Sequence, residues 1–322
     1  MQDYYIGVDL GGTKIYTALA DGKGEIISRK KLPTEAKKGK KVILNNIINS
    51  IDSVIEQSKV TNEDINKIGI GSPGPLSVKK GVIYRTANLP WENVHIVDII
   101  QEETGIPVKL ENDANAAGLG EKWFGAGKDV SDLIYITVST GVGGGFVINK
   151  KVYQGYDGAA AEIGHMIIEP DGPQCGCGNY GCLESFSSGT AIAREGREVL
   201  ESDQKSLIKE MSDNNPDNVD ALLVANAAKE GDKLAKDIYD QAGWYLGIGI
   251  ANLINLFNPE MIVMGGGIMK DKELIEETMQ ESLNERAIET SLEQVEICKV
   301  ALGDETGVKG AIAVAMEEKL LS

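Results

Sequence analysis

A short turn, Asp9-Leu-Gly-Gly-Thr-Lys14, separates two apolar runs, Tyr4-Tyr5-Ile6-Gly7-Val8 and Ile15-Tyr16-Thr17-Ala18-Leu19. The runs read as buried strands and the turn as the tip of their hairpin. Gly11 and Gly12 carry no Cβ, so the backbone there is free to take positive φ and bring its N–H groups against a phosphate. Thr13 adds a hydroxyl, Lys14 a point charge, and Asp9 a carboxylate able to hold the water shell of Mg2+. The plan recurs further on. A strand over Ser131–Thr137 leads into Val138-Ser-Thr-Gly-Val-Gly-Gly-Gly145, a second strand continues to Ile148, and Asn149-Lys150-Lys151 closes a hairpin. Two phosphate-type hairpins, one in each half, predict a duplicated fold.

Between and after them the chain alternates. Glu25–Leu32 reads as a strand, and Lys40–Lys59 as a helix with Val42, Ile43, Ile47, Ile48, Ile51, Val54 and Ile55 at helical spacing. Ile65–Ile70 returns to a strand and stops in Gly71-Ser-Pro-Gly-Pro75, a place where α/β proteins turn backbone toward a ligand, or a plain loop. Val82–Tyr84 is a short strand, Asn88–Trp91 a loop and Val97–Thr104 a helix. A strand from Pro107 then ends at Asn112-Asp113, where a helix of small residues (Ala114, Ala116, Ala117, Gly118) begins. Asp113 therefore sits where the helix dipole favours a carboxylate, and an N-cap is an equally good use of it. Helices are expected over Gly189–Leu200, Asn218–Glu230, Lys233–Leu256 and 272–285, with a last one from Gly307. Met261–Met264 is a buried strand that ends in Gly265-Gly266-Gly267, and Val295–Val300 is another strand. The acidic, polar stretch from Ser202 to Asn218 is the most loop-like.

A chain of 322 residues can bury a large core and form two lobes. Its net charge of −17 argues against nucleic-acid and anionic-membrane partners, which need a basic face. An anionic substrate would have to be met by local charge: Lys14, a metal or backbone N–H groups. The N-terminal stretch lacks the basic and apolar regions of a secretory signal, and the apolar run Tyr245–Phe257 is too short to span a bilayer. A cytoplasmic setting is the expectation.

In such a reducing setting, three cysteines within eight residues, Cys175, Cys177 and Cys182, point to a metal ahead of a disulfide. His165, ten positions before Cys175, is the nearest fourth ligand for tetrahedral Zn2+. Four protein ligands leave no open position, so the zinc would be structural. It would fix a loop that also carries Glu162 and Glu184. Unliganded core cysteines or a redox pair are the alternatives. Cys298 lies within a strand pattern and reads as core.

Taken together, these pieces resemble the ROK family of sugar kinases and repressors, within the actin-like ATPase superfamily. The resemblance spans the chain: Asp9-Leu-Gly-Gly-Thr-Lys14, Gly71-Ser-Pro-Gly74, Glu111-Asn-Asp-Ala-Asn115, the run from Thr140 to Gly145 continuing to Glu162-Ile-Gly-His165, Cys175-x-Cys-Gly-x-x-Gly-Cys-x-Glu184, and Gly265-Gly-Gly267. Within the family the pattern is most like that of bacterial glucokinases. The one departure is Ala161, before Glu162, where the family usually has glycine.

The resemblance implies an α/β actin-like ATPase fold, two lobes on RNase H-like cores around an active-site cleft. The expected division is a smaller lobe, 1–116 with 306–322, and a larger one, 117–305. It implies ATP with Mg2+ at Asp9, Gly11, Gly12, Thr13, Lys14, Thr140 and Gly141, and adenosine near Gly265, Gly266 and Gly267. The sugar would meet Asn112, Asp113, Glu162, His165, Glu184 and Gly74, with Asp113 as general base. Structural Zn2+ would sit on His165, Cys175, Cys177 and Cys182. The activity implied is ATP-dependent phosphorylation of a hexose, with glucose expected and N-acetylmannosamine, N-acetylglucosamine, fructose or allose as alternatives. Family members are often dimers or tetramers, so a homo-oligomer is expected. A sugar-responsive repressor is the distant alternative: it would need an N-terminal helix-turn-helix, for which a first strand beginning at Tyr4 leaves no room.

Overall fold

The computed structural model describes residues 3–86 and 89–321. In chain order the elements are β1 (Tyr4–Leu10), β2 (Lys14–Asp21), β3 (Ile26–Pro33), α1 (Lys40–Ser58), β4 (Ile65–Ser72), β5 (Leu76–Ser77), β6 (Val82–Arg85), β7 (Glu92–Val94), α2 (Ile96–Thr104), β8 (Val108–Asn112) and α3 (Asp113–Phe124). There follow β9 (Leu133–Val138), β10 (Val142–Ile148), β11 (Lys151–Val152), α4 (Glu184–Ser187), α5 (Gly189–Glu201), α6 (Leu207–Met211), α7 (Ala221–Lys229) and α8 (Lys233–Phe257). Last come β12 (Met261–Gly265), α9 (Glu276–Arg286), α10 (Glu289–Leu292), β13 (Glu296–Lys299) and α11 (Thr306–Leu320).

One five-stranded sheet has the order β3-β2-β1-β4-β8 and the other β11-β10-β9-β12-β13. Each is therefore third-second-first-fourth-fifth by its own strand sequence. In the first, β2 pairs antiparallel with β1 and β3, while β4 pairs parallel with β1 and β8. The repeat is the duplicated RNase H-like core of the actin-like ATPase fold, as the paired hairpins predict. A small antiparallel sheet, β5-β6-β7, completes the strands.

The chain packs as two compact units: 1–135, 145–161 and 300–322 form the first, and 136–144 with 162–299 the second. Segments 117–135, 145–161 and 300–305 thus pack with the first unit, although the sequence boundaries set them in the larger lobe. For 145–161 the ties are Gln154 Nε2 donating to Glu111 Oε2 and Gly145, where a Cβ would fall 2.3 Å from the Ala114 oxygen; for α3 itself the reason is its pairing with α11. A Cβ on Gly120 would fall 2.7 Å from the Gly310 nitrogen, and one on Gly310 would fall 2.2 Å from the Ala116 oxygen. Only glycines allow this approach, and it holds all of α3 against α11. Glu121, fully buried on α3, fastens the same region. Its Oε2 accepts from Ala126 and Ala301 N–H at 3.0 and 3.1 Å, and its Oε1 from Leu302 N–H and Thr306 Oγ1, both at 3.1 Å. The core of this unit gathers Ile6, Val8 and Leu10 of β1 with Ile43, Ile47 and Ile51 of α1.

In the second unit α8 packs against α4, α5, α7 and α9, in agreement with its broad apolar surface. It ends at Asn258, left-handed at φ 44°, just before Pro259. Three expectations need correction. The Ser202–Asn218 stretch contains α6, capped by Ser206 Oγ accepting from Ile208 N–H at 3.1 Å. The helix expected over 272–285 begins at Glu276, after a 3-10 segment over Ile268–Leu274. Cys298 is half-buried on the edge strand β13, outside the core. Of the loop expected at 88–91, Asn88 lies outside the described residues. Among the described residues no helix is long and apolar enough to cross a membrane.

Candidate active site

In the first unit the β1–β2 tip is tight: Gly11 N–H donates to the Lys14 oxygen at 2.9 Å, and Thr34 Oγ1 donates to the Gly11 oxygen at 2.6 Å. Thr13 and Lys14 are exposed. The turn does this without the conformation expected of it, since the left-handed glycines of the described chain do not include Gly11 or Gly12. Asp9, the next-to-last residue of β1, lies below this turn and against Gly307 in the first turn of α11, where a Cβ would fall 2.6 Å from Asp9 Oδ2. Burial pushes the Asp9 carboxyl up to about 6, with the Asp113 charge adding to the shift and Lys14 and Lys31 opposing it. The two aspartates are thus electrostatic neighbours.

Asn112 and Asp113 divide the two roles that the sequence left open for Asp113. Asn112 is the N-cap of α3: its Oδ1 accepts from Ala114 and Asn115 N–H at 2.9 and 3.2 Å. Asp113 is the first helical residue, half-buried, with Oδ1 accepting from Ala114 N–H at 2.8 Å. The capping bond fixes the Asn112 amide so that Nδ2 faces Gly74, where a Cβ would stand 3.6 Å away. Behind them is Glu111, a buried carboxylate the sequence reading did not single out, although it lies inside the quoted motif. Its Oε1 accepts from Asn112 N–H and Asn115 Nδ2, both at 3.0 Å, and its Oε2 from Gln154 Nε2 at 2.5 Å. Burial raises its pKa.

In the second unit the turn at Ser139–Val142 is gripped by the segment Glu184–Thr190. The Ser139 oxygen accepts from Gly189 N–H at 2.7 Å, the Thr140 oxygen from Thr190 N–H and Oγ1 at 3.2 and 2.8 Å, and Val142 N–H donates to Glu184 Oε2 at 3.0 Å. A cavity of about 590 Å3 opens beside this turn. Ser139, Thr140, Thr190, Arg197, Tyr239 and Lys270 are in its wall, and so is Gly267. Gly265 and Gly266 are not. Gly265 closes β12, and Gly266, at φ 99°, would set a Cβ 2.2 Å from the Val138 oxygen, so Gly266 serves close packing. Arg197 lies on α5, Tyr239 on α8 and Lys270 in the 3-10 segment Ile268–Leu274, with no shared motif, and no spacing signal marks them.

The cysteine cluster is assembled as expected. One ligand atom each from His165, Cys175, Cys177 and Cys182 lies within 4.8 Å of the others. Cys177 and Cys182 Sγ are 3.7 Å apart, and Cys175 Sγ is 3.7 Å from His165 Nδ1. That is far from a disulfide bond and close to the edge of a Zn–S tetrahedron, about 3.8 Å for bonds of about 2.3 Å. The donor set fits zinc. The wrap depends on Gly181, left-handed at φ 69°, where a Cβ would fall 1.6 Å from the Glu169 oxygen. His165 presents Nδ1 to the cysteines, leaving Nε2 as its other edge. Burial pushes the Cys175 thiol up to about 12, so a metal must displace its proton. Glu184 Oε1 lies 3.7 Å from Cys175 Sγ, while exposed Glu162 precedes the 3-10 turn Ile163–His165. Glu162 is preceded by Ala161 at φ 66°, the left-handed position for which glycine is the usual occupant.

The chain is 36% identical over 313 residues to a glucokinase of Thermotoga maritima, covering 97% of each chain. It is 34% identical over 315 residues to a xylose repressor of Caldicellulosiruptor bescii, covering 98% of this chain and 78% of the repressor. Among solved structures, a ROK family glucokinase from Streptomyces griseus in complex with glucose and AMPPNP superposes with a TM-score of 0.81 at 32% identity, covering 98% of this chain and 99% of that one. A sequence profile described as the ROK family matches residues 5–318, and the chain belongs to the ROK family.

Proposed function

We propose that the protein is an ATP-dependent hexokinase that converts glucose to glucose 6-phosphate. The observation that carries this reading is the placing of Asp113: a half-buried carboxylate at the start of α3, beside a side chain that already does the capping, and within electrostatic reach of Asp9. A residue needed only to cap the helix would not be duplicated there. The Thermotoga and Streptomyces glucokinases support the choice of sugar and donor.

In this reading Asp113 accepts the proton of the sugar 6-hydroxyl as that oxygen attacks the γ-phosphorus and ADP leaves. Asn112 Nδ2, Glu162, His165 Nε2 and Glu184 pair with the other hydroxyls. An analogue lacking one of these hydroxyls leaves a group unpaired. The N–H groups of the two turns and Lys14 take the phosphates, and the cavity beside Thr140 and Gly267 takes the adenosine. Mg2+ carried with the nucleotide would be held through Asp9 and would neutralise phosphate charge. Zn2+ on His165, Cys175, Cys177 and Cys182 would fix the loop between Glu162 and Glu184. The setting we propose is a cytoplasmic homo-oligomer, where the cysteines stay reduced.

A coupled assay of glucose, N-acetylmannosamine, N-acetylglucosamine, fructose and allose against ATP, GTP and polyphosphate tests the reading. Glucose with ATP is expected to give the highest kcat/KM. Asp113→Ala is expected to fold and bind glucose while kcat falls by roughly 10²–10⁴-fold. Retained turnover in that variant would remove Asp113 from the base role. The second reading, a sugar-responsive regulator, is favoured by the identity to the xylose repressor. Glucose binding without turnover on any sugar of the panel would select it.

A further inference from the structure

We propose that Glu184 is a positioning residue that couples sugar binding to nucleotide binding through its hydrogen bond to Val142. This inference rests on the kinase reading and adds a link within the second unit. Glu184 Oε2 accepts from Val142 N–H at 3.0 Å, in the phosphate-type turn, while its Oε1 faces Cys175 Sγ at 3.7 Å in the cysteine cluster. One carboxylate therefore touches both the turn that would hold phosphate and the loop that would hold sugar.

The contact is built on glycine. A Cβ on Gly141 would fall 2.4 Å from Glu184 Oε2 and 3.3 Å from its Cδ, so the carboxylate reaches the turn only because residue 141 has no side chain. The segment that begins at Glu184 grips the same turn twice more, through Gly189 N–H on the Ser139 oxygen and Thr190 on the Thr140 oxygen. Ser139, Thr140, Gly189 and Thr190 are also wall residues of the 590 Å3 cavity. A carboxylate offers about four acceptor positions, of which Val142 takes one. A sugar hydroxyl bound to another fixes the rotamer of Glu184, and a fixed Glu184 fixes Val142 and the turn. The ordering cost is then met by the first ligand and spared for the second, which is positive coupling without any large rearrangement. By linkage, glucose tightens the nucleotide by the same factor as the nucleotide tightens glucose.

Gly141→Ala is the discriminating variant. Position 141 is outside the left-handed residues, so alanine is compatible with its backbone, and the only atoms it meets belong to the movable end of Glu184. Calorimetric titration of AMPPNP with and without saturating glucose is expected to show a coupling factor of about fivefold or more in the unsubstituted protein. That factor falls to near one in Gly141→Ala. In the Glu184→Ala background the coupling factor is already lowered and Gly141→Ala lowers it no further, because the group it displaces is gone. A further loss of coupling on Gly141→Ala in that background would assign the link to the backbone of residue 141, and this outcome overturns the proposal. So does a Gly141→Ala protein with an undiminished coupling factor. Absence of glucose binding by the unsubstituted protein is a different failure: it removes the kinase reading and this link with it.

Discussion

Asp9 rests against Gly307, with Oδ2 placed 2.6 Å from where a Cβ on residue 307 would stand. The strand end and the first turn of α11 thus meet at a single carboxylate, and a glycine is what lets the helix N-terminus come so near. The helix dipole favours the charge there, yet burial and Asp113 still push the carboxyl up to about 6. Since the folded value exceeds the ordinary 3.8, the folded protein binds this proton more tightly than the unfolded chain does.

The consequence is a strained carboxylate at working pH. The group's contribution is most favourable below about pH 4 and is lost as pH rises through about 6. Asp9→Asn is therefore expected to stabilise the metal-free protein at pH 8, by at most about 3 kcal/mol, with a gap about 1 kcal/mol smaller at pH 5. If Asp9 holds Mg2+ as proposed, the same variant is expected to lose most of kcat/KM for ATP. Urea unfolding at the two pH values checks the first part. A gap that stays constant, or a destabilised variant, would contradict the burial of the charge.

Asn112 combines a structural and a recognition role that substitution can separate. Asn112→Ala removes the cap and should cost about 1 kcal/mol. Asn112→Asp keeps a capping oxygen but has no Nδ2 donor. Both variants should raise the glucose KM roughly tenfold, the size of one lost hydrogen bond to a bound ligand. Only the alanine variant should lose the cap energy. Thermal melts together with KM values decide this: an Asp variant with an unchanged KM would take Asn112 out of the sugar site.

How much of this was readable beforehand depended on how local the signal was. The β1–β2 hairpin, the start of α3 and the Cys175–Cys182 wrap are each continuous in sequence, the longest running only from Tyr4 to Asp21, and periodicity or spacing marks them directly. The duplicated sheet order followed from two hairpins of like composition. The split of roles between Asn112 and Asp113 was out of reach, because both residue types cap helices and only the backbone angles decide which one does. Glu121 holding Ala301, Leu302 and Thr306, and Glu184 holding Val142, join residues 180 to 185 and 42 positions apart. Nothing in either local sequence announces a partner at that distance. The missed helices α6 and α10 are five and four residues long, too short to display a helical period.

Ala161 gives a third test. It occupies φ 66°, where an L side chain costs about 1–2 kcal/mol relative to the right-handed region. Ala161→Gly relieves that strain, while the added freedom of the unfolded chain offsets part of the gain. A net stabilisation of about 0.5–1 kcal/mol is expected, read as a higher urea midpoint with an unchanged slope. A lower midpoint would mean that the turn before Glu162 is held in another conformation in solution.

The cysteine cluster supplies the last test, by metal removal. Four ligand atoms within 4.8 Å of one another predict about one zinc per chain in protein purified without chelators, by elemental analysis. Stripping the metal with a strong chelator leaves three thiols and an imidazole close together with nothing to join them, so the melting temperature should fall, and reloading zinc should restore it. Glucose affinity should fall in parallel, since His165 is a ligand and Glu184 lies 3.7 Å from Cys175 Sγ. AMPPNP binding in the absence of glucose should change less, because α5 continues to hold Ser139 and Thr140 through Gly189 and Thr190. Cys177→Ser, at the exposed ligand, should reproduce the loss of metal without disturbing buried packing. A stripped protein that keeps its melting temperature and its glucose affinity would reduce the cluster to a chance grouping of thiols. Equal loss of glucose and nucleotide binding would instead show that the whole second unit depends on the metal.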